Sequence, residues 1–269
     1  MKNIEFFKFR EPRLIGINWL GLITLYKKEV LRFFNVWAQT IVSPIVTLIL
    51  FISVFTIALG DGKGKVLGHE FAIFLIPGLI SMQILQNAFA NTSSSLMIAK
   101  IQGNIVDILF PPLSALEVTT AMLLGGITRG LVVGVFSVII IIPFMHIPIH
   151  NVFVIFLFAI LGSSMLAAIG FATGLWSQKF DHLATITNFV VVPLSFLSGT
   201  FYSIEKLNDY FHLLSQLNPF FYAIDGFRYG FLGQADGSIQ VGIIYLLILN
   251  IALWFMCYIL FEKGYRIKS

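Results

Sequence analysis

With 269 residues, 58% of them hydrophobic and only 11% charged, the chain falls far below the roughly 25% charge of a soluble protein. A soluble domain of this size could not cover so much apolar surface, so lipid is the solvent for most of the chain. The net charge is only +4 and the basic residues stand at the ends of apolar runs, which gives nucleic-acid binding little support.

The first residues, MKNIEFFKFREPR, are mixed in charge and lead into no short apolar stretch with a small-residue cleavage site. No cleavable signal peptide is expected. Residues 16–35 predict an amphipathic helix lying on the membrane. Ile23, Tyr26, Val30, Phe33, Phe34 and Trp37 share one face, and Lys28, Glu29, Arg32 and Asn35 the other. Such a helix either anchors the orientation or also forms part of a docking surface.

A bilayer core of about 30 Å takes about 20 apolar residues in a helix. Six runs meet that need: 36–59, 71–90, 118–142, 152–176, 183–201 and 241–261. They show no alternation, so helices rather than a β-barrel are expected. Pro44, Pro77 and Pro193 fall inside spans and predict kinks. Between spans two and three, residues 97–110 predict a second amphipathic helix ended by Pro111-Pro112, with Lys100, Asn104 and Asp107 on its polar side. It reads as an anchor or as a surface for a partner to push against, and residues 176–182 could frame the same surface. Span three contains the one deep charge, Arg129, beside Gly125, Gly126, Gly130 and Gly134. The glycines let a helix approach closely. The arginine is either functional, or snorkels, or pairs with a backbone carbonyl or with Glu117. Residues 202–239 predict a hairpin of two short helices dipping into the outer leaflet: the first capped by Ser203 with Ile204, Leu207, Phe211 and Leu214 on one face, the second following Asn218-Pro219. Asp225 and Arg228, three apart, predict an ion pair that staples the hairpin or touches substrate. Cys257 is alone within an apolar run and reads as a packed core residue.

Placing the N-terminus inside puts twelve basic residues there (Lys2, Lys8, Arg10, Arg13, Lys27, Lys28, Arg32, Lys100, Lys179, Lys263, Arg266, Lys268) against four outside (Lys63, Lys65, Lys206, Arg228). That bias predicts cytoplasmic ends. No catalytic constellation stands out. The glycines of LGDGKGKVLG lack the G-x-x-x-x-G-K-[ST] nucleotide-loop pattern, and Pro148 between His146 and His150 argues against a helical metal site. Without clustered intramembrane carboxylates, energy for uphill transport would come from a cytoplasmic partner.

The stretch VPLSFLSGTFYSIEKLNDYFHLLSQLNPFFYAIDGFRYGFLG (192–233) resembles the signature of ABC-2 type transporter permeases. YKKEVLRFFNVWAQTIVSP is similar to that family's interfacial helix and first span, and IPGLISMQILQNAFANTSSSL with KIQGNIVDILFPPL to its second span and coupling segment. The similarity covers nearly the whole chain and looks most like the YadH-like bacterial branch. It implies one all-α membrane domain over residues 1–269: an interfacial segment at 1–35, a six-span bundle at 36–261 carrying the re-entrant hairpin at 202–239, and a cytoplasmic tail at 262–269. It further implies an inner-membrane exporter of drugs, lipids or lipid-linked glycans, working as a homodimer lined by spans one, two and five. The chain itself would be non-catalytic and free of cofactors, ATP and Mg being held by a separate ABC ATPase subunit. By that resemblance Lys28, Arg32, Lys100, Gln102, Asn104 and Asp107 become candidates for ATPase coupling. The competing readings are a passive channel or ion-coupled transporter, and a membrane enzyme acting on lipid.

Overall fold

The computed structural model describes residues 16–59, 65–145, 147–204 and 208–266. The N-terminal basic residues Lys2, Lys8, Arg10 and Arg13, with Lys63, His146, Glu205, Lys206, Leu207 and Lys268, lie outside the described residues. Among the described residues the structure is helical, and six helices are long and apolar enough to cross a membrane: Ala38–Ile57, Phe71–Ile101, Ala115–Ile141, Val152–Trp176, Phe180–Leu197 and Ile239–Glu262.

The chain runs α1 (Trp19–Phe34), α2 (Ser43–Leu59), α3 (Phe71–Ile101), α4 (Val106–Leu109), α5 (Ala115–Ile141), α6 (Val152–Trp176), α7 (Phe180–Ile186), α8 (Val192–Leu197), α9 (Asp209–Leu217), α10 (Pro219–Leu232) and α11 (Ile239–Glu262). Two π-helical turns, Ala38–Val42 and Thr187–Val191, come just before Pro44 and Pro193. A proline lacks an N–H and crowds the carbonyl four residues back, and a wider turn absorbs that conflict without breaking the span. Span five is thus α7, a π turn and α8 in series. It starts at Phe180 rather than at residue 183 and stops at Leu197, where the backbone turns through Gly199 at φ +73°.

The largest departure from expectation is span two. It does not end near residue 90 but continues as one helix to Ile101, absorbing the first part of the expected coupling helix. Polar side chains lower its hydropathy, yet they are satisfied in place. Asn87 donates to Gln83 O (3.0 Å), Ser93 to Phe89 O (2.7 Å) and Thr92 across to Ala167 O of α6 (2.7 Å). A helix in lipid continues where its polar groups find partners. The coupling helix itself shrinks to the single turn of α4, reached through Gly103 at φ +76°.

α3 is the centre of the bundle and packs on α5, α6, α10 and α2. In its most apolar window 83% of residues are buried, against 11% in each of spans five and six. Spans one, five and six therefore keep apolar surface for lipid or for another chain. The predicted glycine contacts are present: a Cβ on Gly126 would stand 2.8 Å from Ala167 Cβ, and one on Gly130 2.9 Å from Ile84 O. A second set on α6 (Gly162, Gly170, Gly174) serves the α3–α6 contact in the same way.

Candidate functional site

At the end of the bundle that holds the α3–α4 turn, α1 is clamped to the start of α5. Ser114 caps α5, and Glu117 returns one carboxylate oxygen to Ser114 N (2.7 Å) and the other to Asn18 N, outside its own helix. The Asn18 amide donates to Pro112 O (3.3 Å). A groove of about 290 Å³ runs between α1 and residues 107–113, with Lys28 and Asp107 both on its walls. Gln102 and Asn104 are exposed on the adjoining turn, where the Asn104 amide donates to Gln102 Oε1 (3.3 Å). Four of the six expected coupling residues therefore gather at one surface. The other two point elsewhere. Lys100 donates to Leu175 O (2.7 Å) and to Ser177 O, holding the carbonyl end of α6. Arg32 turns into the bundle.

Its neighbour corrects the wheel drawn for α1. Glu29, expected on the exposed polar face, is 1% exposed. It accepts from Ser95 Oγ (2.8 Å) and pairs with Arg32 (3.2 Å), while Arg32 Nη2 donates to Asn91 O (2.8 Å) and Asn91 Oδ1 (3.0 Å). The polar side of α1 is thus partly a packing side against α3. One turn further along, Asn87 Oδ1 accepts from Arg129 Nη2 (3.0 Å). Glu117 is not the partner of Arg129; it is engaged at the start of α5, and a neutral amide takes its place. The seam Glu29–Arg32–Asn91–Ser95 was legible only as the run N-T-S-S-S in an apolar context.

The opposite end carries a buried latch. Arg228 is fully buried, so it is not the outer-loop charge that the orientation count assumed. Its Nη1 lies 3.7 Å from Asp225 and 4.0 Å from Asp236, its Nη2 donates to Gly199 O (2.7 Å), and its guanidinium stands 4.0 Å from the centre of the Phe74 ring. Asp225 accepts the backbone N–H groups of Asp236 (3.0 Å) and Gly237 (2.9 Å). Asp236, which sequence reasoning missed, accepts from Ser203 Oγ and from Ile204 N (3.2 Å). The N-cap of α9 is Asn208 rather than Ser203, whose hydroxyl is given to Asp236. The expected pair is present, but it belongs to a junction of α8, α10 and the 233–238 loop.

The ABC-2 type transporter pattern matches residues 21–232, from α1 to the end of α10. The chain belongs to the ABC-2 type transporter family. It is 33% identical over 256 residues, 95% of this chain and all of the relative, to the "Inner membrane transport permease YadH" of Escherichia coli K12, and equally to that of Shigella flexneri. As a member of the ABC-2 family it is read as a transport permease. Among the described residues no three His, Cys, Asp or Glu side chains gather where they could hold a metal ion. His150 packs edge-on to Tyr229, and Cys257 is buried with its thiol against Ala168 O (3.2 Å). The ABC-2 permease thus offers three polar features: the groove, the α1–α3 seam and the latch.

Proposed function

We propose that this chain is the membrane subunit of an ATP-driven exporter in a bacterial inner membrane. Two copies form the path, and a separate ABC ATPase drives it from the cytoplasmic side. The observation that carries this reading is the surface at the α3–α4 turn. Lys28 and Asp107 share a groove there, Gln102 and Asn104 stand exposed beside it, and every strut behind it is tied down. Glu117 and Asn18 join α1 to α5, and Lys100 joins α3 to the end of α6. A push on this surface is transmitted to spans two, three and four together. The path runs along spans one, two and five, and the α9–α10 hairpin dips into the membrane near its exit. Both the family membership and the permease named as its relative support this assignment.

Asp107 is exposed and takes part in no ion pair among the described residues, so Asp107→Arg leaves the fold intact while placing the wrong charge at the contact. Like charges across an interface cost several kcal/mol, and about 1.4 kcal/mol is already tenfold in affinity. Co-purification with a candidate ABC ATPase subunit is expected to fall at least about tenfold on Asp107→Arg. Asp107→Asn loses less. Full recovery of the ATPase with Asp107→Arg would overturn the coupling surface.

Orientation is checked separately. The native thiol is buried, so background labelling is low. In intact cells a membrane-impermeant maleimide is expected to label Asp209→Cys and to miss Lys179→Cys until the membrane is opened. The reverse pattern would invert the topology.

A further inference from the structure

Of the arginines that turn into the bundle, Arg228 and Arg129 are treated by the fold in opposite ways. Arg228 is given two carboxylates. Arg129 is given none. Its single hydrogen bond runs from Nη2 to the neutral Asn87 side chain, its Nε is buried without a partner, and it remains only half-buried. The nearest acid of the seam, Glu29, is already committed to Arg32 and Ser95. Arg32 and Arg129 hold Asn91 and Asn87, which stand one turn apart on α3. Counting Arg32, Arg129 and Glu29, the seam carries one uncompensated positive charge. An intramembrane cation without a counter-ion is costly, and a lasting one marks a place where charge is brought in from outside.

Asn87, the residue that holds Arg129, also faces the other way. It lines a cleft of about 290 Å³ between α3 and span five, together with Gln86 and Ser94 on α3 and Leu183, Thr187 and Val191 on span five. Ser94 is in turn within reach of Arg32 Nη1 (3.4 Å). Both arginines therefore stand one side chain away from the same cleft. No acidic side chain lines it. Its α3 wall carries the amides and hydroxyls of Gln86, Asn87, Ser93 and Ser94 beside the apolar Phe89 and Ala90, and its opposite wall is mostly aliphatic. That division matches an amphiphile: a polar head against α3 and a chain along span five. At about 290 Å³ the space is at the low end for a small-molecule pocket (roughly 300–1,000 Å³), enough for a headgroup. A guanidinium with free N–H groups suits a planar or tetrahedral oxyanion above all other ligands.

We infer that the cleft between α3 and span five receives the anionic headgroup, phosphate or carboxylate, of an amphiphile, with Arg129 as the counter-charge and Asn87 as its positioning residue. This deepens the exporter reading and rests on it for the direction of transport, but binding itself needs no ATPase.

The test uses the full chain purified in dodecyl maltoside, with thermal stability as the readout. Dihexanoyl phosphatidic acid, dihexanoyl phosphatidylcholine and inorganic phosphate are each titrated below micelle-forming concentrations. Phosphatidic acid is expected to raise Tm saturably, phosphatidylcholine to leave it unchanged, and inorganic phosphate to act only at much higher concentration. Arg129→Gln removes a charge-assisted contact and is expected to weaken the phosphatidic acid midpoint about tenfold or more. Arg129→Lys keeps the charge and part of the affinity, and serves if the glutamine variant does not fold. Lys28→Gln, on the groove at the α1–α5 junction, leaves the midpoint unchanged. Equal shifts with phosphatidylcholine, or an unaltered midpoint in both Arg129 variants, would overturn the inference. Equal potency of inorganic phosphate would reduce the site to a phosphate site and sink the amphiphile assignment. Loss of ATPase association in a separate sample bears on the exporter reading and not on this one.

Discussion

Arg228→Met is expected to be the most damaging single substitution on the hairpin side of the molecule, costing about 3–5 kcal/mol, the usual penalty for leaving a buried charge without its partner. The side chain has no access to solvent, and Asp225 and Asp236 both face its Nη1. Its links are of three kinds: two ion contacts at 3.7 and 4.0 Å, one carbonyl hydrogen bond at 2.7 Å, and a face-on contact with Phe74 at 4.0 Å. The ion contacts are too long to be good hydrogen bonds, so the energy lies in charge balance rather than in directed bonding. That predicts a specific coupling. Asp225→Asn removes one of the two negative charges and keeps an acceptor for only one of the Asp236 and Gly237 N–H groups, which bind different carboxylate oxygens. Arg228→Met with Asp225→Asn should then lose clearly less than the two single losses added. Detergent-solubilised samples carry the measurement, as Tm and as the fraction eluting in a single sharp peak. Strict additivity would show that the pair is not coupled and that Arg228 acts through Gly199 and Phe74 alone.

The membrane architecture was legible because it depends on runs of composition, and 58% hydrophobic residues leave little choice. Span ends and polar partners were less so, because they depend on contacts far apart in the chain. Asp236 joins Ser203 across 33 residues, Arg129 joins Asn87 across 42, and Lys100 reaches Leu175 across 75. No local pattern announces such pairings. Glu29 was misplaced for a related reason: a helical wheel assigns charged residues to the wet side, whereas a neighbouring helix that offers Ser95 and Asn91 can satisfy them inside. The same satisfaction explains why α3 runs to Ile101 through residues that a hydropathy reading takes for a loop. The glycines of span three were legible as close-approach positions, but the tightest approach to a neighbouring backbone belongs to a glycine that drew no notice.

That glycine is Gly170, and its substitution separates two kinds of small-residue contact. A Cβ at Gly170 would come within 2.4 Å of both Phe89 O and Thr92 Oγ1, a backbone atom and a hydroxyl already bonded to Ala167 O. Neither can yield without moving α3 against α6, the most extensive contact in the bundle. A Cβ at Gly134 would come nearly as close, 2.6 Å, but to the tip of the Ile84 side chain, which can change rotamer. Alanine in a helix gains up to about 1 kcal/mol over glycine in propensity. At Gly134 that gain is expected to survive, so Gly134→Ala is neutral or mildly stabilising. At Gly170 it is outweighed: overpacking costs about 1–3 kcal/mol, and the interhelical Thr92 bond, worth about 0.6 kcal/mol in membrane proteins, is strained with it. Gly170→Leu goes further and is expected to abolish the folded, monodisperse protein. Thermal unfolding of the two alanine variants beside the parent decides the matter. Equal Tm values for Gly134→Ala and Gly170→Ala would mean that α3 and α6 slide freely, and that α3 is not fixed by α6 at all.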